Sequence, residues 1–126
     1  KIMQSEIKYE LPMYSSNMEK EPQIEFKNTD EKIVIEGYDE NDDMCETRIK
    51  FISVISFKHS SPRFTPQLYG AYDKVVGVID SEWLEELKKI NLDDFSFWKP
   101  KHYVLYLDRF GMYQFIAQSF EVEEND

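Results

Sequence analysis

Residues 101–122 constrain the fold more than any other stretch of this chain. His102-Tyr-Val-Leu-Tyr-Leu-Asp108 and Met112-Tyr-Gln-Phe-Ile-Ala-Gln-Ser-Phe-Glu-Val122 are both rich in aromatic and β-branched side chains, and only Arg109-Phe-Gly111 separates them. Two such runs joined by a short segment ending in glycine predict a β-hairpin. Gly111 supplies the positive φ that a hairpin loop of this length needs, and Asp108 suits the first turn position. Residues 103–107 are apolar without a break, so this strand is expected to be covered on both faces and to lie in the middle of a sheet. In the second run, alternation puts Ile116, Phe120 and Val122 on one face and Tyr113, Phe115 and Ala117 on the other.

The rest of the chain offers partners for that hairpin. Ile7, Tyr9 and Leu11 alternate with charged residues up to Pro12, the pattern of a short half-exposed strand. Ile24 and Phe26, the turn residues Asn28-Thr-Asp30, and Ile33-Val-Ile35 predict a second hairpin. Residues 47–57 read as one long strand, with Ile49, Phe51, Ile55 and Phe57 on one face and Ser53 interrupting them. Residues 72–79 alternate more loosely. Residues 58–70 hold two prolines, two serines and a glycine, and form the longest irregular connection.

One helix is expected, over about 81–90. Asp80 and Ser81 offer N-caps, Glu82, Glu85 and Glu86 suit its positive end, and Lys88 and Lys89 its negative end. Trp83, Leu84, Leu87 and Ile90 fall on one stripe, the side that should be buried against a sheet. Residues 91–99 read as a connection stopped by Pro100, and the acidic tail is expected to fray after Val122. The expected fold is therefore α+β: one domain over residues 1–126, with a curved, mainly antiparallel sheet of about six to seven strands and the helix packed on one face.

Charge narrows the function. The net charge is -10, from 25 acidic and 15 basic residues. Such a surface repels nucleic acid and anionic membranes and attracts cationic partners. No apolar run reaches the length of a membrane span. Cys45 is the single cysteine, so there is no internal disulfide, and a cytoplasmic location is the simplest expectation.

Catalytic and metal chemistry find little purchase. The run Asp39-Glu-Asn-Asp-Asp43 matches the first three ligand positions of an EF-hand loop. Met44 then stands where the sharp turn needs glycine, and Lys50 where the bidentate glutamate belongs. No metal and no cofactor is expected. Cys45 lies among Asp42, Asp43 and Glu46, whose charge raises a thiol pKa and quiets the group. Phosphate-loop, nucleophile-elbow, zinc-protease and dinucleotide motifs are all lacking. His102 reads as a packed or capping histidine.

Two surfaces remain as candidates. Asp39, Glu40, Asp42 and Asp43 form the densest acidic cluster. Between Thr47 and Tyr72 there is no acidic residue at all, and Lys58, His59, Ser60 and Arg63 there could gather round an anion. Phe95, Phe97, Trp98, Phe110 and Tyr113 cluster near connections, where they serve either a protein interface or the ends of the sheet.

Tyr72-Asp-Lys74, Asp80-Ser-Glu-Trp-Leu84 and the closing run 101–122 resemble small uncharacterised bacterial proteins of the toxin-immunity type. The resemblance covers the last part of the chain and carries no catalytic residue with it. It implies a non-enzymatic protein that binds another protein, likewise the partner an acidic surface would attract: a basic toxin. A small-ligand or anion-binding module, or an enzyme, using loop 58–70 is the alternative expectation.

Overall fold

The computed structural model describes residues 4–65 and 69–125. Its strands are β1 (Ser5–Glu10), β2 (Gln23–Lys27), β3 (Asp30–Tyr38), β4 (Met44–Ser60), β5 (Lys74–Val78), β6 (Lys101–Leu107) and β7 (Gly111–Asn125). Two helices, α1 (Glu82–Ile90) and α2 (Leu92–Trp98), lie between β5 and β6. The strands make a seven-stranded antiparallel sheet in the order β1-β5-β6-β7-β4-β3-β2, an α+β architecture. β7 occupies the middle, between β6 and the long β4, and β6, the strand expected there from its unbroken apolar run, is its neighbour.

The β6–β7 turn shows why glycine stands at 111. Phe110 N–H donates to the Leu107 carbonyl at 3.1 Å, and the chain turns through positive φ at Arg109 (70°) and Gly111 (106°). A Cβ on residue 111 would lie 2.1 Å from the Ser60 carbonyl oxygen on β4. Glycine is needed there for its conformation and for its missing side chain alike.

Most of the core lies on one face of the sheet. Ile33, Ile35, Ile49, Phe51, Val75, Tyr103, Leu105, Leu107, Phe115 and Ala117 are buried there together. The Phe51 and Phe115 rings stack with centroids 3.9 Å apart. β1 and β2 are opposite edges of the sheet, so residues 11–22, which join them, must cross this face. They carry Met13 and Met18 into the same core. Several contacts hold the crossing down, three of them near its middle. Ser15 N–H donates to the Asp73 carboxylate, Asp108 N–H donates to Ser15 Oγ at 2.7 Å, and the Arg109 guanidinium donates to the Met18 carbonyl.

Simple alternation fails in the middle of β4 and β7. Tyr113, Phe115 and Ala117 share the core with Phe120 and Val122, so β7 changes face between Ala117 and Phe120. β4 changes face in step opposite this stretch, where Ser53 adopts φ 55°, and its pairing register shifts next to it, between Val54 and Ser56. The β2–β3 turn fixes this distortion: Ser53 N–H donates to Asp30 Oδ1 at 2.9 Å, and Val54 N–H to the Thr29 carbonyl at 2.7 Å. Ile55 is thereby turned out of the core and exposed. An extra residue in one strand of a pair bends it and resets which side chains face inward.

The helical layer also departs from expectation. Residues 91–99, expected as a connection, contain α2. Asn91 ends α1 and caps α2, its Oδ1 accepting from Asp94 N–H at 3.1 Å. Lys99 (φ 52°) and Pro100 then stop the second helix. In α1, Ser81 Oγ accepts from Leu84 N–H at 3.0 Å, the expected N-cap. Trp83, Leu84 and Leu87 are only half-buried, and α1 has no fully buried residue. The sheet beneath Trp83 presents polar groups: Lys58 Nζ lies 4.1 Å from its ring centroid, and the His102 ring meets it edge-on. Finally, β7 pairs with β4 as far as Asn125, so the tail expected to fray is a strand.

Candidate functional site

The acidic run forms the tip of the β3–β4 hairpin, and its own backbone absorbs part of its charge. Asp39 Oδ1 accepts from Asn41 N–H at 2.8 Å and from Asp43 N–H at 3.1 Å. Asp42 takes φ 62°, a left-handed turn position that aspartate tolerates. Asp42 and Asp43 are exposed at this tip. Glu40 instead lines a cleft with residues from two distant segments.

That cleft, of about 350 Å³, is bounded by Glu10, Leu11, Tyr14, Glu40, Tyr72 and Asp73, with Lys74 as its one basic residue. Each wall has a local reason to be where it is. Glu10 ends edge strand β1, where pairing with β5 stops at Lys74. Tyr14 precedes the short 3₁₀ turn at Ser15–Asn17 and is 54 % exposed, because the crossing chain buries its neighbours Met13 and Ser15 instead. Asp73 adopts φ 58°, and this lets its backbone bond in two directions: its N–H donates to the Tyr106 carbonyl, and its own carbonyl accepts from Leu11 N–H. The Tyr72 ring stacks on Tyr106, with centroids 5.7 Å apart, and the residue remains exposed.

The electrostatics of the cleft are one-sided. Burial raises the Tyr72 hydroxyl above its ordinary pKa, and the Asp108 and Asp73 carboxylates push it further the same way. Glu10, Glu40 and Asp73 line the same cleft as the two tyrosines, and Asp108 adds negative charge near Tyr72. Carboxylates beside exposed aromatic faces make a receptor for a guanidinium or ammonium group, which they bind through charge-assisted hydrogen bonds and cation–π contact. Among the described residues no group of three or more His, Cys, Asp or Glu side chains is placed to hold a metal ion.

The basic segment is spread out rather than gathered. Lys58 points to the helices and rests on Trp83, whereas His59 stacks on Tyr113 (4.4 Å, 21°), and its Nε2 lies 2.7 Å from the Phe110 carbonyl. Adjacent strand residues point to opposite faces, and these two follow that rule. Ser60 ends β4 with its carbonyl against Gly111, and Arg63 is exposed in a 3₁₀ turn at Pro62–Phe64. Residues 66–68 of that loop lie outside the described residues.

Of the aromatic residues near connections, Phe97 is 82 % exposed, Phe95, Trp98 and Phe110 are half-buried, and Tyr113 is buried. The pair Tyr14 and Tyr72 was not singled out in the sequence. Its signal was faint: a tyrosine beside Pro12 and another directly before the left-handed Asp73. No described helix is long and apolar enough to cross a membrane. No protein-family model, curated protein or solved structure matches this chain.

Proposed function

We propose that the protein is a non-enzymatic binding protein that captures a basic protein partner, as an immunity protein neutralises a basic toxin. The observation that carries this reading is the cleft lined together by Glu10, Glu40 and Asp73 and by the exposed Tyr14 and Tyr72. A lysine or arginine side chain of the partner would enter the cleft. The exposed Asp42 and Asp43 at the hairpin tip would add long-range attraction. The net charge of -10 favours such a partner over nucleic acid or an anionic membrane. The resemblance of residues 72–122 to toxin-immunity proteins points the same way. An anion site at loop 58–70 has less support, because Lys58 and His59 are engaged on opposite faces of β4.

The test is capture from a native lysate by the wild-type protein and by a Glu10→Lys/Glu40→Lys variant. The expected result is one or more basic proteins retained by the wild type, released by moderate salt, and lost from the variant. Capture that survives both charge reversals would remove the cleft from the account.

A further inference from the structure

The joint between the helical layer and the sheet is made by a buried polar chain that the proposed binding site does not use. His102 on β6 is 3 % exposed and Gln114 on β7 is 4 % exposed, and Ser81 caps α1 directly above them. His102 Nε2–H donates to Gln114 Oε1 at 2.8 Å, which leaves Nδ1 unprotonated to accept from the Ser81 hydroxyl at 2.7 Å. Ser81 Oγ also accepts from Leu84 N–H, so one hydroxyl both caps the helix and ties it to the sheet. The Trp83 ring stands edge-on to the imidazole at 5.3 Å. Neither helix contributes a fully buried residue, so this polar chain is a large part of what docks them.

We propose that Ser81, His102 and Gln114 form a pH-sensitive latch that holds α1 and α2 on the sheet when His102 is neutral and loosens them when it is protonated. A proton on Nδ1 removes the acceptor for the Ser81 hydroxyl, whose proton must turn away while its oxygen takes Nδ1–H beside Leu84 N–H. Both nitrogens then face neutral groups, so nothing offsets the new charge. The surroundings do not supply the missing anion. Lys58 of β4 approaches from above Trp83, Lys101 follows on β6, and Glu6 and Lys8 of β1 pair with each other at the same cleft. Glu82 and Glu85 are exposed on the first turn of α1, Asp80 accepts from Gln4 N–H, and Asp94 of α2 bonds Asn91. Strands β5 and β7 present uncharged residues here, among them Gly77, Val78, Gln114 and Ile116, which is paired opposite His102.

Burial lowers the His102 pKa from its ordinary 6.5. The Gln114 hydrogen bond opposes that effect, and the charge on Lys58 adds to it. The docked form thus binds its proton less readily than the released form. Docking is at full strength above about pH 6.5, and it weakens by up to about tenfold per pH unit as pH falls from there toward the docked-state value.

Hydrogen exchange tests this on the intact protein. Between pH 7.5 and 5, protection of the α1 amides, corrected for intrinsic exchange, should fall by up to about tenfold per unit, while protection of β6 and β7 stays level. The only two tryptophans, Trp83 and Trp98, both sit on the helices, so their emission should follow the same curve. His102→Gln should abolish the dependence and His59→Gln should keep it. If His102→Gln does not fold, the imidazole shifts of wild-type His102 must titrate together with the tryptophan signal. Equal loss of protection in helices and sheet, level α1 protection, or a separate His102 midpoint would each overturn the latch.

Discussion

Replacing Gly111 with alanine would place two demands on the β6–β7 turn that it cannot meet cheaply. The first is conformational: φ is 106°, and an L-residue at positive φ costs roughly 1–2 kcal/mol. The second is steric, because the new Cβ would fall 2.1 Å from the Ser60 carbonyl oxygen. That oxygen belongs to the backbone of β4 and cannot rotate away, so the Ser60–Met112 end of the β4–β7 ladder must open. Losing about one ladder hydrogen bond adds roughly 0.5–1.5 kcal/mol. The total is roughly 1.5–3.5 kcal/mol, or roughly 6–13 °C in Tm for a chain of this size. Gly77→Ala is the control in the same melt. Its Cβ would meet the flexible end of Lys8 at 3.0 Å, and the expected cost is below about 1 kcal/mol. Equal losses for the two substitutions would refute the steric argument and the tight packing of the central hairpin on β4.

Leu87→Ala should cost about 1 kcal/mol by urea unfolding, less than a core truncation, because Leu87 is half-buried beside a groove bounded by Ile55 and Trp98. Glu31→Gln should stabilise the protein by about 1 kcal/mol at pH 7 and have little effect near pH 4. The Glu31 carboxyl is buried, its Oε2 has no partner, and burial raises its pKa, so its contribution is present at low pH and lost as pH rises through the folded-state value. Calorimetry should detect no micromolar calcium site at residues 39–46, since the EF-hand glycine and terminal glutamate are missing and Asp39 is engaged by its own loop.

Local pattern carried the elements, and long-range contacts decided the rest. The central hairpin, all seven strands and α1 follow from alternation, turn residues and caps that lie within a few residues of one another. α2 escaped notice because it is a seven-residue helix whose cap, Asn91, is also the end of α1, and because Phe97 and Leu92 point to solvent instead of forming a buried stripe. The face change in β7 was not legible in β7 itself. It runs in step with β4, which Asp30 and Thr29 of another hairpin hold, and the only local trace was Ser53 interrupting an apolar face. The binding cleft was half visible. Glu40 belongs to the acidic run, but Glu10, Tyr14, Tyr72 and Asp73 come together only because residues 11–22 must cross the sheet to join its two edges. The sequence marks His102 as a packed or capping histidine but does not name its partner, because Gln114 meets it only through the pairing of β6 with β7.

Stopped-flow association with the captured basic partner, at two ionic strengths, tests the proposed function most directly. Exposed charge governs encounter and its salt dependence, whereas groups that hold an inserted side chain govern dissociation. Asp42→Lys/Asp43→Lys should slow association and flatten its response to salt, with dissociation little changed. Glu10→Lys/Glu40→Lys should raise the dissociation rate as well, by about tenfold or more for the loss of charge-assisted contacts. Association and dissociation rates unchanged in both variants, with the wild-type salt slope retained, would contradict capture of a basic partner by the acidic cleft.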